Sequence, residues 1–209
     1  PLCSPARACL ANGMDYAHCG VINNSQNTPL TFPTYYQRLR DTGYAVAGVG
    51  KFDLHKADFD WGLDGSRMLT EYGFTCGIDN EGKGDAITSY HNNNRRPVGP
   101  YMQFLKERGL DDIHYAMYNP PSGRRHGLNF AAVTPLPDDA YCDNWVAENG
   151  KKCLREFPHN RPWHLVVNFT GPHDPFDVTA SMRERWKNVL IQPPVDNHDT
   201  DPESVLVRR

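Results

Sequence analysis

Two short runs constrain this chain more than anything else in it: Tyr44-Ala45-Val46-Ala47-Gly48-Val49-Gly50 and Trp163-His164-Leu165-Val166-Val167-Asn168-Phe169. Each follows a segment with helical spacing. The first trails Pro33 to Gly43, where Tyr36, Leu39 and Arg40 recur at helical intervals before a glycine stop. The second trails Asp138 to Phe157, with Tyr141, Trp145, Val146 and Leu154. Runs that are apolar on both faces and alternate with helices form buried parallel strands with helices packed over them. The fold class is therefore α/β, a mostly parallel sheet flanked by helices. Pro100 to Gly109 predicts a further helix and Ile113 to Tyr118 a third strand. Ala57 to Arg96 is rich in Gly, Asp and Asn with little periodicity, and predicts a long excursion on the substrate side.

The bulk numbers exclude several classes. With 39% hydrophobic and 11% aromatic residues in 209, there is enough apolar mass for a core. Twenty-two basic against 25 acidic residues, a net charge of −3, give no general attraction to nucleic acid or anionic membrane. No apolar stretch is long enough to span a bilayer. Cys3, Cys9, Cys19, Cys76, Cys142 and Cys153 form no CxxC pair and read mainly as free thiols, with room for one bridge. Asn23-Asn24-Ser25 and Asn168-Phe169-Thr170 fit the glycosylation pattern; the second ends an apolar run and is expected to be buried and unmodified. Pro1 is not an initiator, and the tail from Pro193 to Arg209 is polar with no closing element, so the chain reads as an internal piece of a longer protein. Its compartment is open, with a lean toward an extracytoplasmic one, periplasmic or secreted.

Chemistry begins at the first residues, Cys3-Ser4-Pro5-Ala6-Arg7. Ser4 suits an N-cap and Pro5 the first helical position, and Gly13 can end the helix in a left-handed conformation. Cys3 would then sit where orphan N–H groups and the positive end of the helix dipole point outward, which suits an anion. Arg7, four residues on, shares its face and can grip a tetrahedral oxyanion. In open parallel sheets, ligands bind beyond the carboxyl ends of the strands. The first strand runs out into Gly50-Lys51-Phe52-Asp53-Leu54-His55-Lys56, the second into Thr170-Gly171-Pro172-His173-Asp174-Pro175. Three separate segments thus converge on one crevice.

Cys-x-Pro-x-Arg resembles the signature of type I sulfatases of the alkaline phosphatase superfamily, in which the cysteine is oxidised to formylglycine. The family's Gly-Tyr-x-x-x-x-x-Gly-Lys block is matched by Gly43-Tyr44 and Gly50-Lys51, and its Pro-His-x-Pro block by Pro172-His173-Asp174-Pro175, in the family's order. The resemblance implies part of a single sulfatase catalytic domain over 1–209, lacking its N-terminal metal-binding strand and its C-terminal portion. It implies cleavage of an organic sulfate ester by a gem-diol derived from Cys3, splitting one hard step into two. Arg7 would orient the formylglycine, Lys51 would bind sulfate oxygens, and His173 would contact sulfate and protonate the leaving oxygen. It also implies a sulfatase-modifying enzyme as partner and one divalent cation, calcium by the family's habit. Modified Cys3 is the one ligand assignable here, the acidic pair and later ligands lying outside the chain. By itself the chain is expected neither to hold the metal well nor to turn over substrate.

The sequence departs from the pattern at one position. The family commonly reads Gly-Lys-x-His, but residue 53 is Asp and the histidine comes at His55. Positions 53 and 55 share a face on a strand, so either can meet the site; His55 is the favoured catalytic candidate and Asp53 a substrate contact. The stretch Met14-Asp15-Tyr16-Ala17-His18-Cys19 also differs from the family's usual basic and histidine positions. Two alternatives stand beside sulfate hydrolysis: a phosphonate or phosphate diester hydrolase of the same superfamily, and a non-catalytic sulfatase-like binding protein, which Asp53 favours. Three further patterns are set aside. Gly77 to Gly84 nearly spells a P-loop but lacks the Ser or Thr after lysine and a preceding apolar strand. Asp58, Asp60 and Asp64 miss EF-hand spacing. Asn92-Asn93-Asn94-Arg95-Arg96 and Arg124-Arg125-His126 read as solvated basic loops.

Overall fold

The computed structural model describes residues 2–119 and 132–193. Its elements in chain order are α1 (Cys3–Asn12), α2 (Tyr35–Asp41), β1 (Ala45–Gly50), α3 (Leu69–Tyr72), β2 (Cys76–Asp79), α4 (Gly82–Asn92), α5 (Pro100–Glu107), α6 (Asp111–Tyr118), α7 (Cys142–Glu156), β3 (Trp163–Asn168) and α8 (Ala180–Trp186). The three strands form one parallel sheet in the order β2-β1-β3, as the α/β reading requires. The Arg124-Arg125-His126 patch, His198 and the tail beyond residue 193 lie outside the described residues.

β1 is buried along its whole length, and its alternation divides the core between two layers. Val49 joins Ala86, Ile87, Tyr90, Tyr101, Met102, Leu105, Trp145 and Val146 from α4, α5 and α7. Val46 faces the other way, onto Ala11, Tyr36, Leu69, Tyr72 and Phe74 from the layer of α1, α2 and α3. Helices on both faces are what a central apolar strand needs. The α2 start is a capping box: Thr34 Oγ1 accepts from Gln37 N at 3.1 Å, while Gln37 Oε1 accepts from Thr34 N at 2.9 Å.

Four expectations are corrected. Ile113 to Tyr118 is helical, not a strand: Asp111 and Asp112 occupy the first turn of α6, where carboxylates favour the dipole, and Asp111 accepts from Tyr90 Oη at 2.6 Å. The stretch from 57 to 96 is not an unstructured excursion: it contains β2 and α4, and β2, short and of mixed polarity, overlaps the start of the P-loop look-alike. α1 begins at Cys3 with Leu2 as the cap residue, two positions earlier than Pro5 at the first turn implied. Asn168 is half-buried and not buried, because β3 stands at the sheet edge with Trp163 and Phe169 about half exposed. All six cysteines are free, with Cys19 and Cys142 buried and Cys76 exposed.

Candidate active site

Sequence position brings the ends of β1 and β3 together because the two strands run in register, Gly50 opposite Asn168. Gly50 adopts φ +113°, and a Cβ there would stand 2.0 Å from the Asn168 carbonyl oxygen. Only glycine permits that approach, which lets Lys51 N donate to Asn168 O at 3.0 Å. Lys51 therefore leaves β1 beside the segment that carries Thr170 and His173.

α1 supplies the third wall. Cys3 is its first residue and half-buried, and Gly13 closes the helix at φ +70°, donating to Cys9 O at 2.9 Å. No cap side chain precedes Cys3; instead Asn24 Oδ1, twenty residues downstream, accepts from Ser4 N at 3.0 Å. A loop thus satisfies one of the orphan donors at the helix start. Cys3, Arg7, Lys51, Thr170 and His173 line a single cavity of about 410 Å³, with Leu2 and Leu10 at its rim. The four residues nominated from motifs in three separate segments share this space.

The fifth and sixth part company. β1 ends at Gly50, so strand alternation does not extend to residues 53 and 55, and Asp53 turns back with φ +54°. Its carboxylate is fully buried, 2.5 Å from Lys51 Nζ and 3.7 Å from Arg7 Nε through Oδ2. His55 instead points beneath the site, its Nε2 3.1 Å from Asp79 Oδ2. Burial pushes the Asp79 carboxyl above its usual range, against the pull of His55. Asp79 Oδ1 also accepts from Phe52 N at 3.1 Å, so this pair supports the 51–55 turn from below.

Sequence reasoning missed Lys56 and Asp85. Lys56 Nζ is 2.6 Å from Asp85 Oδ2 and 4.0 Å from Asp53 Oδ1, and Asp85 reaches Lys51 Nζ at 3.7 Å. Burial alone pulls the Lys56 ammonium down, but Asp53 and Asp85 outweigh it, so it stays charged with its pKa raised. Arg7, Lys51 and Lys56 against Asp53 and Asp85 leave one net positive charge beside Cys3.

Two anchors hold the loop after β3, and neither was anticipated. Asp143, in the first turn of α7, accepts from Thr170 N at 2.8 Å and Gly171 N at 3.1 Å. Lys83, the lysine of the P-loop look-alike, is buried and donates to Asp177 Oδ1 at 2.7 Å and Pro175 O at 2.9 Å. It serves the loop and faces no phosphate cradle. His173 remains partly exposed, its Nδ1 2.7 Å from Asp174 O and 3.2 Å from Asp174 Oδ1. A carbonyl oxygen can only accept, so Nδ1 carries the proton and Nε2 is left for the cavity side.

A profile of the family described as Sulfatase matches residues 1–189. The chain belongs to the sulfatase family. The choline-sulfatase of Rhizobium meliloti is 26% identical over 197 residues, covering 89% of this chain and 31% of that protein. The phosphonate monoester hydrolase of Agrobacterium radiobacter shares the fold, with a TM-score of 0.58 at 23% identity, over 87% of this chain and 34% of its own. This sulfatase chain therefore spans about a third of the length of these relatives. No group of three or more His, Cys, Asp or Glu able to hold a metal ion occurs among its described residues, which do not by themselves fit a cation site. Asp58 and Asp60 share Arg67, and Asp64 accepts from Ser66, so these carboxylates are each engaged locally. No helix of the described residues is long and apolar enough to cross a membrane.

Proposed function

We propose that this sulfatase hydrolyses an organic sulfate ester, with Cys3 converted to formylglycine. The observation that carries the reading is the single cavity in which Cys3, Arg7, Lys51 and His173 meet at the start of α1. Cys3 suits the modification: it is half-buried, opens onto that cavity, and stands one turn before Arg7. The chemistry the modification supplies is an oxygen nucleophile with a second hydroxyl, so that sulfate leaves by reforming a carbonyl.

The chain's own residues then have distinct tasks. Arg7 and Lys51 bind the anionic oxygens and offset charge as it develops on them, in a site where fixed cations need no reorganisation. Asp53 holds both cations in place, accepting a hydrogen bond from Lys51 and pairing by charge with Arg7. His173, with Nδ1 committed to Asp174, presents Nε2 to the leaving oxygen and passes it a proton; the Asp174 carboxylate steadies the imidazolium that precedes transfer. One net positive charge suits a monoanionic head such as a sulfate ester better than a doubly charged phosphate monoester.

The same charge balance favours a second reading, a phosphonate monoester or phosphate diester hydrolase, since those heads are also monoanionic. The test is made on the whole protein from its native source. The mass of the peptide holding Cys3 should show an aldehyde oxygen in place of the thiol, and sulfate release from aryl sulfates should exceed turnover of matched phosphonate monoesters. The reverse preference selects the second reading. An intact thiol without turnover selects a non-catalytic binding protein.

A further inference from the structure

A second cavity adjoins the first, and His173 lines both. It measures about 330 Å³ and lies between the loop after β3 and the starts of α7 and α8. Most of its polar lining is already engaged; the oxygen without a partner among the described residues, Asp177 Oδ2, is buried away from the cavity surface. Lys83 donates to Asp177, to Pro175 O and, at 3.3 Å, to Tyr141 Oη, which itself donates to Asp177 O at 2.9 Å. Asp143 accepts from the Thr170 and Gly171 amides at the start of α7, where the helix dipole further settles its charge. Apart from His173 at the junction of the two cavities, what remains to meet a ligand is apolar: Pro172, Phe176, Val178 and Met182. Phe176 is 48% exposed and Val178 36%, and neither joins a core cluster. Such a pocket, largely apolar with most of its polar groups committed, is a binding cavity more than a packing defect.

We propose that this cavity is the leaving-group subsite of the anion cavity beside it, and that it takes an uncharged apolar group, aryl or branched alkyl, attached to the ester oxygen. The inference rests on the hydrolytic reading for the word leaving, since His173 protonates that oxygen and the departing group must lie on its side. The geometry itself requires only one ligand spanning both cavities, with the anionic head on Arg7 and Lys51 and the apolar body against Phe176 and Met182.

Titration calorimetry on the whole protein with non-hydrolysable sulfonates tests it. Benzenesulfonate should bind about tenfold more tightly than methanesulfonate, the gain coming from apolar area removed from water. Phe176→Ala should erase most of that ratio, and Met182→Ala part of it; Phe176→Leu should keep an intermediate value. Equal affinity for the two sulfonates, or an unchanged ratio in Phe176→Ala, overturns the subsite. An ethanesulfonate bearing a trimethylammonium group that binds more tightly than benzenesulfonate overturns the uncharged assignment. Sulfate release from phenyl sulfate, followed separately, reports on hydrolysis; its absence with the sulfonate ratio intact removes the hydrolytic reading and leaves the subsite standing.

Discussion

Lys51 Nζ stands 2.5 Å from Asp53 Oδ2, and both side chains are buried, the carboxylate completely. Position 53 thus carries the counterion of the chain's own lysine. Removing one partner strands the other: Lys51→Ala should cost about 3 kcal/mol in urea unfolding, because a buried carboxylate is left with only the more distant Arg7 and Lys56. Asp53→Asn should act in the opposite sense on ligand binding, tightening inorganic sulfate several-fold by releasing positive charge to the cavity. Weaker sulfate binding in Asp53→Asn would show that the carboxylate's positioning of Lys51 outweighs its charge.

His114 is fully buried among Tyr101 and Tyr118, and neither ring nitrogen has a hydrogen-bond partner among the described residues. Burial, with the Lys83 charge adding to it, lowers its pKa from 6.5 to about 3. The unfolded chain therefore binds a proton that the folded chain refuses, and this group's contribution to stability falls as pH drops below 6.5, by about 2 kcal/mol at pH 5. His114→Leu should therefore exceed the wild type by about 2 kcal/mol at pH 5 and be neutral or stabilising at pH 7, as followed by urea midpoints at both pH values.

Glu81 carries the opposite slope. It is fully buried at the start of α5, accepting from Met102 N at 3.0 Å, and burial pushes its carboxyl from 4.5 up to about 7 despite the amides that favour its charge. The folded chain keeps a proton that the unfolded chain gives up, so this contribution is whole below pH 4.5, declines as pH rises to 7, and amounts to about 3 kcal/mol. Glu81→Gln, which mimics the protonated form, should abolish the decline. Between pH 4.5 and 6.5 the two groups cancel, so the wild type should be flat with respect to this pair. His114→Leu should lose stability with rising pH there, and Glu81→Gln should gain it.

Asp143 ties the backbone of the His173 loop to α7. Asp143→Ala leaves the Thr170 and Gly171 amides unpaired and should cost about 2 kcal/mol. Hydrogen exchange at those two amides should accelerate together, and Asp143→Asn, which retains one acceptor oxygen, should restore part of the protection.

Much of this was legible in the residues. The two long strands announced themselves because a central strand must be apolar on both faces, and Cys3, Arg7, Lys51 and His173 because fixed spacings place them at element ends. Asp53 and His55 were not separable, since the alternation that relates them stops at Gly50, and a left-handed residue at 53 leaves no compositional trace. β2 was missed because four residues, Cys76-Gly77-Ile78-Asp79, give no period to read. α6 was misread because a short apolar run fits either element, and its two leading aspartates are the signal that separates them. Asp143 and Lys83 sit far along the chain from the loop they hold, and only the fold brings them to it.

Gly50 lines neither cavity, yet its missing side chain governs the spacing of two residues that do. Any larger residue there would have to pry β1 from β3 and so widen the gap between Lys51 and the His173 loop. In a survey of single substitutions this silent core position should therefore score with the reactive groups: folded variants, where they survive, would be ones whose two cavity walls have lost their common ruler.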